Sequence, residues 1–199
     1  DLKANDAISI FAIGLTPKMV EARTTNSQEA INGLNSIAPA NEPTAFFDTV
    51  VDAVHYLDQT ADSGSRRVLL VISDGEENYS KHSSLAEALQ ELQKNDCLFY
   101  SINPNGEGAT MNKISREGQN VMEAMATQTG GKAFTVSTSD DLEAVFRQIS
   151  DELQAQYLFG YYSDEQGPAG FRRITVRAPN RPDLRIRARQ GYYVRGRAE

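Results

Sequence analysis

Val68-Leu69-Leu70-Val71-Ile72 runs apolar without alternation and stops at Ser73-Asp74-Gly75. A strand buried on both faces, as in a helix-covered parallel sheet, reads this way. Other stretches repeat the signal more weakly. Ala7 to Ile13 predicts a strand rich in Ile and Phe, Leu98 to Ile102 another, and Ala133 to Val136 a short one. Helical spacing fills the intervals. Ser27 to Ile37 predicts a short helix with Ala30, Ile31, Leu34 and Ile37 on its buried face and Pro39 ending it. A second helix opens at Thr44, its candidate N-cap, and buries Phe46, Phe47, Val50, Val54 and Leu57. Ser84 and Glu87 form a capping-box pair ahead of a third helix facing inward through Leu85, Ala88, Leu89 and Leu92. A fourth, from about Ser115, turns Val121, Met122 and Met125 inward and stops at Gly130-Gly131. Asp140 to Gln154 gives the clearest helix, with Leu142, Val145, Phe146, Ile149 and Leu153 in register.

Strand and helix thus alternate from Ala7 to Gln154, which predicts a doubly wound, mostly parallel α/β sheet with helices on both faces. In open sheets of that kind ligands bind beyond the carboxyl ends of the strands. Asp74 falls at such an end, with Gly75 allowing a sharp turn; the alternative is that Asp74 caps the next segment or closes a turn. After Gln156 the rhythm changes to period two. Arg173, Thr175 and Arg177 alternate with Ile174, Val176 and Ala178, and Arg185, Arg187 and Arg189 with Leu184, Ile186 and Ala188. Together with Tyr157–Tyr162 and Gly191–Val194, these predict a small antiparallel β unit. The expected division is an α/β domain over 1–156 and a β appendage over 157–199.

Charge supports that boundary. Residues 157–199 hold nine arginines against Asp164, Glu165, Asp183 and Glu199, whereas residues 1–156 hold eleven Lys and Arg against twenty-three Asp and Glu. An acidic body is followed by a basic tail. We expect the apolar face of the tail (Ile174, Val176, Leu184, Ile186) to anchor it, with the arginines setting orientation. The single cysteine, Cys97, excludes an internal disulfide and reads as a buried structural residue. No apolar run is long enough to span a bilayer.

Catalytic signatures are sparse. His55 and His82 lie apart in sequence, and neither a G-x-S-x-G elbow nor an H-E-x-x-H pair occurs. Gly106-Glu107-Gly108 follows a strand, but Met111 stands where a third glycine would be needed, which argues against a dinucleotide loop. The prediction is therefore no enzyme and no small-molecule cofactor.

Ser73-Asp74-Gly75 after a strand, Pro43-Thr44-Ala45-Phe46-Phe47-Asp48 opening a helix, and Thr129-Gly130-Gly131 before a strand together resemble the von Willebrand factor type A domain. The tail, from Gln156-Tyr157-Leu158 through Phe171-Arg172 to Arg189-Gln190-Gly191-Tyr192-Tyr193, resembles the bacterial VWFA-related branch. The resemblance implies a divalent cation, Mg²⁺ or else Mn²⁺ or Ca²⁺, held at the top of the sheet and completed by an acidic group of a partner protein. It maps two ligands here, Thr44 and Asp74. The family's first motif, Asp-x-Ser-x-Ser, has no counterpart in front of Ala7. The expectation is accordingly of a sequence that starts inside or after the first helix and lacks the first strand. The strands at Ala7–Ile13 and Val68–Ile72 should then not pair with each other. Asp62-Ser63-Gly64-Ser65 matches the missing motif in composition only, and its place after a helix marks it as a connecting loop.

Hydroxyl and carboxylate oxygens suit a hard cation, yet Thr44 and Asp74 alone make a weak site. Their other roles are helix capping for Thr44 and accepting backbone hydrogen bonds for Asp74. Glu76 and Glu77 read as a solvated acidic turn, and Asp48 either holds the helix end or faces solvent. These three are also the candidate partner-binding residues. The leading expectation is a non-enzymatic protein-interaction domain for adhesion or scaffolding, extracytoplasmic by resemblance, with its protein partner at the top of the sheet. The arginines Arg173, Arg177, Arg185, Arg187 and Arg189 are read first as fitting the acidic body, within the chain or between subunits. The alternatives are an anion-binding module working through them and a purely structural segment of a larger secreted assembly.

Overall fold

The computed structural model describes residues 6–38, 42–106, 113–161, 170–181 and 183–194. The elements run β1 (Ile8–Ala12), β2 (Lys18–Thr24), α1 (Ser27–Asn35), α2 (Phe46–Thr60), β3 (Arg67–Ile72), α3 (Leu85–Lys94), β4 (Cys97–Asn103), α4 (Lys113–Thr129), β5 (Ala133–Thr135), α5 (Ser139–Gln154), β6 (Gly170–Arg173) and β7 (Gly191–Val194). They fall into two compact units, Asp1–Leu69 with Gly75–Cys97 and Leu70–Asp74 with Leu98–Glu199. Pro39, Glu107, Gly108, Met111 and Tyr162, each part of a sequence expectation, lie outside the described residues.

In the first unit β1 pairs antiparallel with β2, its register broken between Ile8 and Phe11. The periodicity overlooked β2. Its apolar Met19, Val20 and Ala22 are interrupted by Lys18, Glu21 and Arg23, so no apolar run or sustained alternation marks it. The α1 helix is capped by Asn26, whose side chain accepts from Gln28 N, and its buried face corrects the expectation. Ala30 and Gly33 turn inward, while Ile31, Leu34 and Ile37 are exposed. A small face wins because β2 lies close: a Cβ on Gly33 would come within 2.9 Å of Glu21 Cβ. Phe46, Val50, Ala53 and Val54 of α2 and Ala88 and Leu92 of α3 form the core. The predicted capping box of α3 is present, with Ser84 and Glu87 exchanging hydrogen bonds. Cys97 is buried here, and that burial pushes its thiol up to about 12. Asp62–Ser65 is a loop, closed by Ser65 N donating to Asp62 O at 3.0 Å.

In the second unit the sheet order is β3-β4-β5, with β4 and β5 parallel in the register Ser101↔Ala133, Ile102↔Phe134. The central strand is the buried one: Phe99, Tyr100, Ser101, Ile102 and Asn103 are fully buried. That corrects the reading of Val68–Ile72 as buried on both faces. β3 is an edge strand of its sheet, and Ile72 at its end is exposed. β1 and β3 belong to different sheets and do not pair. Met122, Met125 and Ala126 of α4 and Ile149 of α5 fill the core. The α4 helix ends at Gly130, where φ is +88°, and Gly131 passes β4 so closely that a Cβ would stand 1.9 Å from Phe99 O.

The tail forms the expected antiparallel pair, though shorter than its periodicity suggests. β6 and β7 pair through Phe171↔Tyr193 and Arg172↔Tyr192, while 174–178 and 184–190 carry no strand ladder. Val176, Leu184 and Ile186 are exposed and only Ile174 is half-buried, so most of the expected apolar face does not anchor the tail. An arginine does. Arg187 pairs with Glu152, donates from Nε to Gly130 O at 3.1 Å and lies over the Tyr100 ring. Alternation without a partnering strand leaves such side chains in solvent, whatever their period.

Candidate functional site

The first unit brings Thr44, Asp48, Glu76 and Glu77 together, the head of α2 against the segment 76–83. Thr44 is not the cap of α2: the N-cap is Ala45, without a side-chain cap bond. The Thr44 hydroxyl donates to Glu76 O at 2.9 Å, and Thr44 N donates to Asn78 Oδ1 at 2.8 Å. In return, Asn78 N and Tyr79 N donate to Thr44 O. The helix head is thereby sewn to the segment rather than capped from its own sequence.

Glu77 supplies the cap that the sequence of α2 lacks. Its carboxylate accepts from Phe47 N at 3.0 Å, at the first turn of α2, and also from Tyr79 N, Ser80 N and Ser80 Oγ. A carboxylate at a helix N-terminus meets unsatisfied N–H groups and the positive end of the helix dipole. Burial works to raise its pKa, but the Ser80 hydroxyl and the backbone amides of Ser80, Phe47 and Tyr79 bring it below the ordinary glutamate range. Glu77 is therefore no solvated turn residue.

Asp48 acts the same way from the opposite side. It is only 7% exposed and accepts from Lys81 N at 2.9 Å and His82 N at 3.1 Å, while its own N–H donates to Ser80 Oγ at 3.2 Å. Burial again opposes ionisation, and the amides of Lys81 and His82 with the Ser83 hydroxyl outweigh it, so the carboxyl sits low. Of the two roles the sequence allowed, holding structure is the one observed. Asn78 and Ser80 went unnoticed in the sequence; the available signal was a cluster of Glu, Asn and Ser in a segment with no apolar period.

Beside this region lies a cleft of about 440 Å³ lined by Leu15, Pro17, Asp52, His55, Tyr79 and His82 among others. The two histidines, distant in sequence, thus share one cleft. His55 Nε2 lies 3.1 Å from Glu91 Oε2.

In the second unit Asp74 follows β3, with Asn105 Nδ2 donating to its Oδ2 at 3.4 Å. Gly75 has φ +78°, the left-handed conformation expected of the turn there. Thr44 and Asp74 suit a hard cation in kind. Among the described residues no three or more His, Cys, Asp or Glu side chains gather where they could hold a metal. Among them, also, no helix is long and apolar enough to cross a membrane.

Comparison with known proteins agrees with this architecture. The von Willebrand factor type A domain family matches residues 4–148. No curated protein matches. Among solved structures, BatB from Bacteroides thetaiotaomicron is similar at TM-score 0.59 and 20% identity, over 78% of this chain and 83% of that one. An aerotolerance-related membrane protein from Bacteroides fragilis NCTC 9343, carrying multiple mutations to serine, is similar at TM-score 0.58 and 19% identity, over 75% and 81%. The SpRpn10 VWA domain is similar at TM-score 0.52 and 12% identity, over 73% of each chain. At such identities these likenesses speak for the fold. The match over residues 4–148 speaks for the family: this chain belongs to the von Willebrand factor type A domains, which are generally protein-interaction modules.

Proposed function

We propose that this chain is a non-enzymatic protein-interaction domain, used for adhesion or scaffolding outside the cytoplasm, whose partner contacts the segment around Glu76 at the head of α2. The observation that carries the proposal is the doubly held segment 76–83. Backbone amides that already point at Asp48 and Glu77 need no ordering when a partner arrives, and ordering is a main cost of association. The same observation argues against catalysis. A general acid or base works best with a pKa near the operating pH, whereas both carboxylates are held low and occupied by amides. Divalent-cation dependence through Thr44 and Asp74 belongs to the proposal as the contribution of the family resemblance.

The test is site-specific photocrosslinking in native extract, with the crosslinker replacing Glu76 and, as control, the exposed Gln154 on α5. The proposal expects a discrete protein adduct from position 76 and none from 154. Loss of that adduct on chelation, or in Asp74→Ala, adds the cation. Identical adducts from both positions, or none from 76, contradict a partner site there.

A further inference from the structure

Four of the large apolar side chains most open to solvent stand together after α5. Tyr157 is 86%, Leu158 94% and Phe159 79% exposed, with Tyr161 also open. Tyr157 and Phe159 stack on each other, and Tyr161 packs edge-on against Tyr192 of β7. That contact joins the segment to the β6–β7 pair, where Phe171 meets Tyr193 and Arg189 lies over Tyr192. The excursion between β6 and β7 adds exposed Val176, Leu184 and Ile186.

The chain around β6 and β7 is strongly basic. Residues 170–194 contain seven arginines, no lysine and one acidic residue, Asp183. Arg181 is paired with Asp183 and Arg187 with Glu152. Arg173, Arg177 and Arg185 are exposed and make no ion pair among the described residues. Among the described residues, fit to acidic groups thus accounts for Arg187 and not for these three.

We propose that residues 157–161, 170–181 and 183–194 form a docking surface for an anionic lipid bilayer. The inference is independent of the partner site at the head of α2. Charge complementarity selects an anionic occupant, since guanidinium groups match phosphodiester oxygens in shape and charge. The aliphatic side chains select a bilayer over a nucleic acid. Leu158, Val176, Leu184 and Ile186 gain nothing from a phosphate backbone, whereas an interface takes up apolar side chains while arginines stay with the headgroups. Tyr157 and Tyr161 carry a ring and a hydroxyl, the combination favoured at that depth.

Vesicle flotation of the whole chain tests this, comparing phosphatidylcholine alone with phosphatidylcholine plus phosphatidylglycerol. Binding is expected to the mixed vesicles and to weaken with salt. Changing Arg173, Arg177 and Arg185 together to Gln should lower partitioning by about a hundredfold. The pair Leu158→Ser and Phe159→Ser, both exposed and so harmless to folding, should also abolish flotation while leaving urea unfolding unchanged. Equal binding to both vesicle types, or no binding to either, overturns the proposal. So does tighter binding to single-stranded DNA that survives the Leu158 and Phe159 changes, which would make the surface a polyanion site.

Discussion

Two carboxylates, Asp48 and Glu77, hold the segment 76–83 by accepting backbone amides. Asp48→Ala leaves Lys81 N and His82 N without an acceptor in a half-buried place, and should lower stability by about 2–4 kcal/mol in urea unfolding. Asp48→Asn, which keeps an oxygen, should cost less. Acid should act as the mutations do. Because Glu77 and Asp48 titrate below their ordinary values of 4.5 and 3.8, the stability they contribute is complete above those values. It is lost as pH falls through the lowered ones. Urea midpoints measured from neutrality downward should fall below about pH 4.5, and Glu77→Gln should flatten that fall; a midpoint that is as acid-sensitive in Glu77→Gln would deny Glu77 this role. These residues were half legible. Asp48 lies one turn from Thr44 in the sequence, but the amides that donate to it lie 33 and 34 residues away, and no local spacing encodes such a pairing.

At the scale of elements, what the sequence showed depended on what each signal measures. Capping at Ser84, the Gly130 stop and the positive φ at Gly75 are local backbone chemistry, and all three are present. Burial is not local. The apolar run 68–72 lies in an edge strand, while the less uniform Cys97–Asn103 is central, because position in a sheet is set by which strands flank it. α1 hides Ala30 and Gly33 rather than its larger residues for the same reason. The tail reverses an expectation with measurable consequences. Ile186 is 44% exposed, so Ile186→Asp should cost less than about 1 kcal/mol. Arg187→Ala removes a partly exposed pair, a bond to Gly130 O and a ring contact, and should cost about 1–2 kcal/mol. Urea unfolding of the two variants decides the order; a larger loss from Ile186→Asp would restore the apolar face as the anchor. Gly131→Ala should cost more than either, ~3 kcal/mol or beyond, because its Cβ would meet the backbone of β4 rather than a side chain that can move aside.

At the scale of the molecule, the alternation of strands and helices carried the fold class, and the ordered motifs carried the family. The function lies in what the elements present to others. Two oxygen donors without a wider set predict that Mg²⁺ titrated into this chain in a calorimeter gives only weak heats; micromolar binding would mean a ligand set other than Thr44 and Asp74. The central claim is that the head of α2 and the segment 76–83 form one preset surface. Amide hydrogen exchange at neutral pH measures it directly. The account predicts slow exchange at Tyr79, Ser80, Lys81 and His82 in the unaltered chain. In the double change Asp48→Ala, Glu77→Ala the amides of Ser80, Lys81 and His82 should become fast while Phe99 and Ser101 of β4 stay slow. Exchange at 79–82 as fast as in an unstructured peptide, already in the unaltered chain, would contradict it.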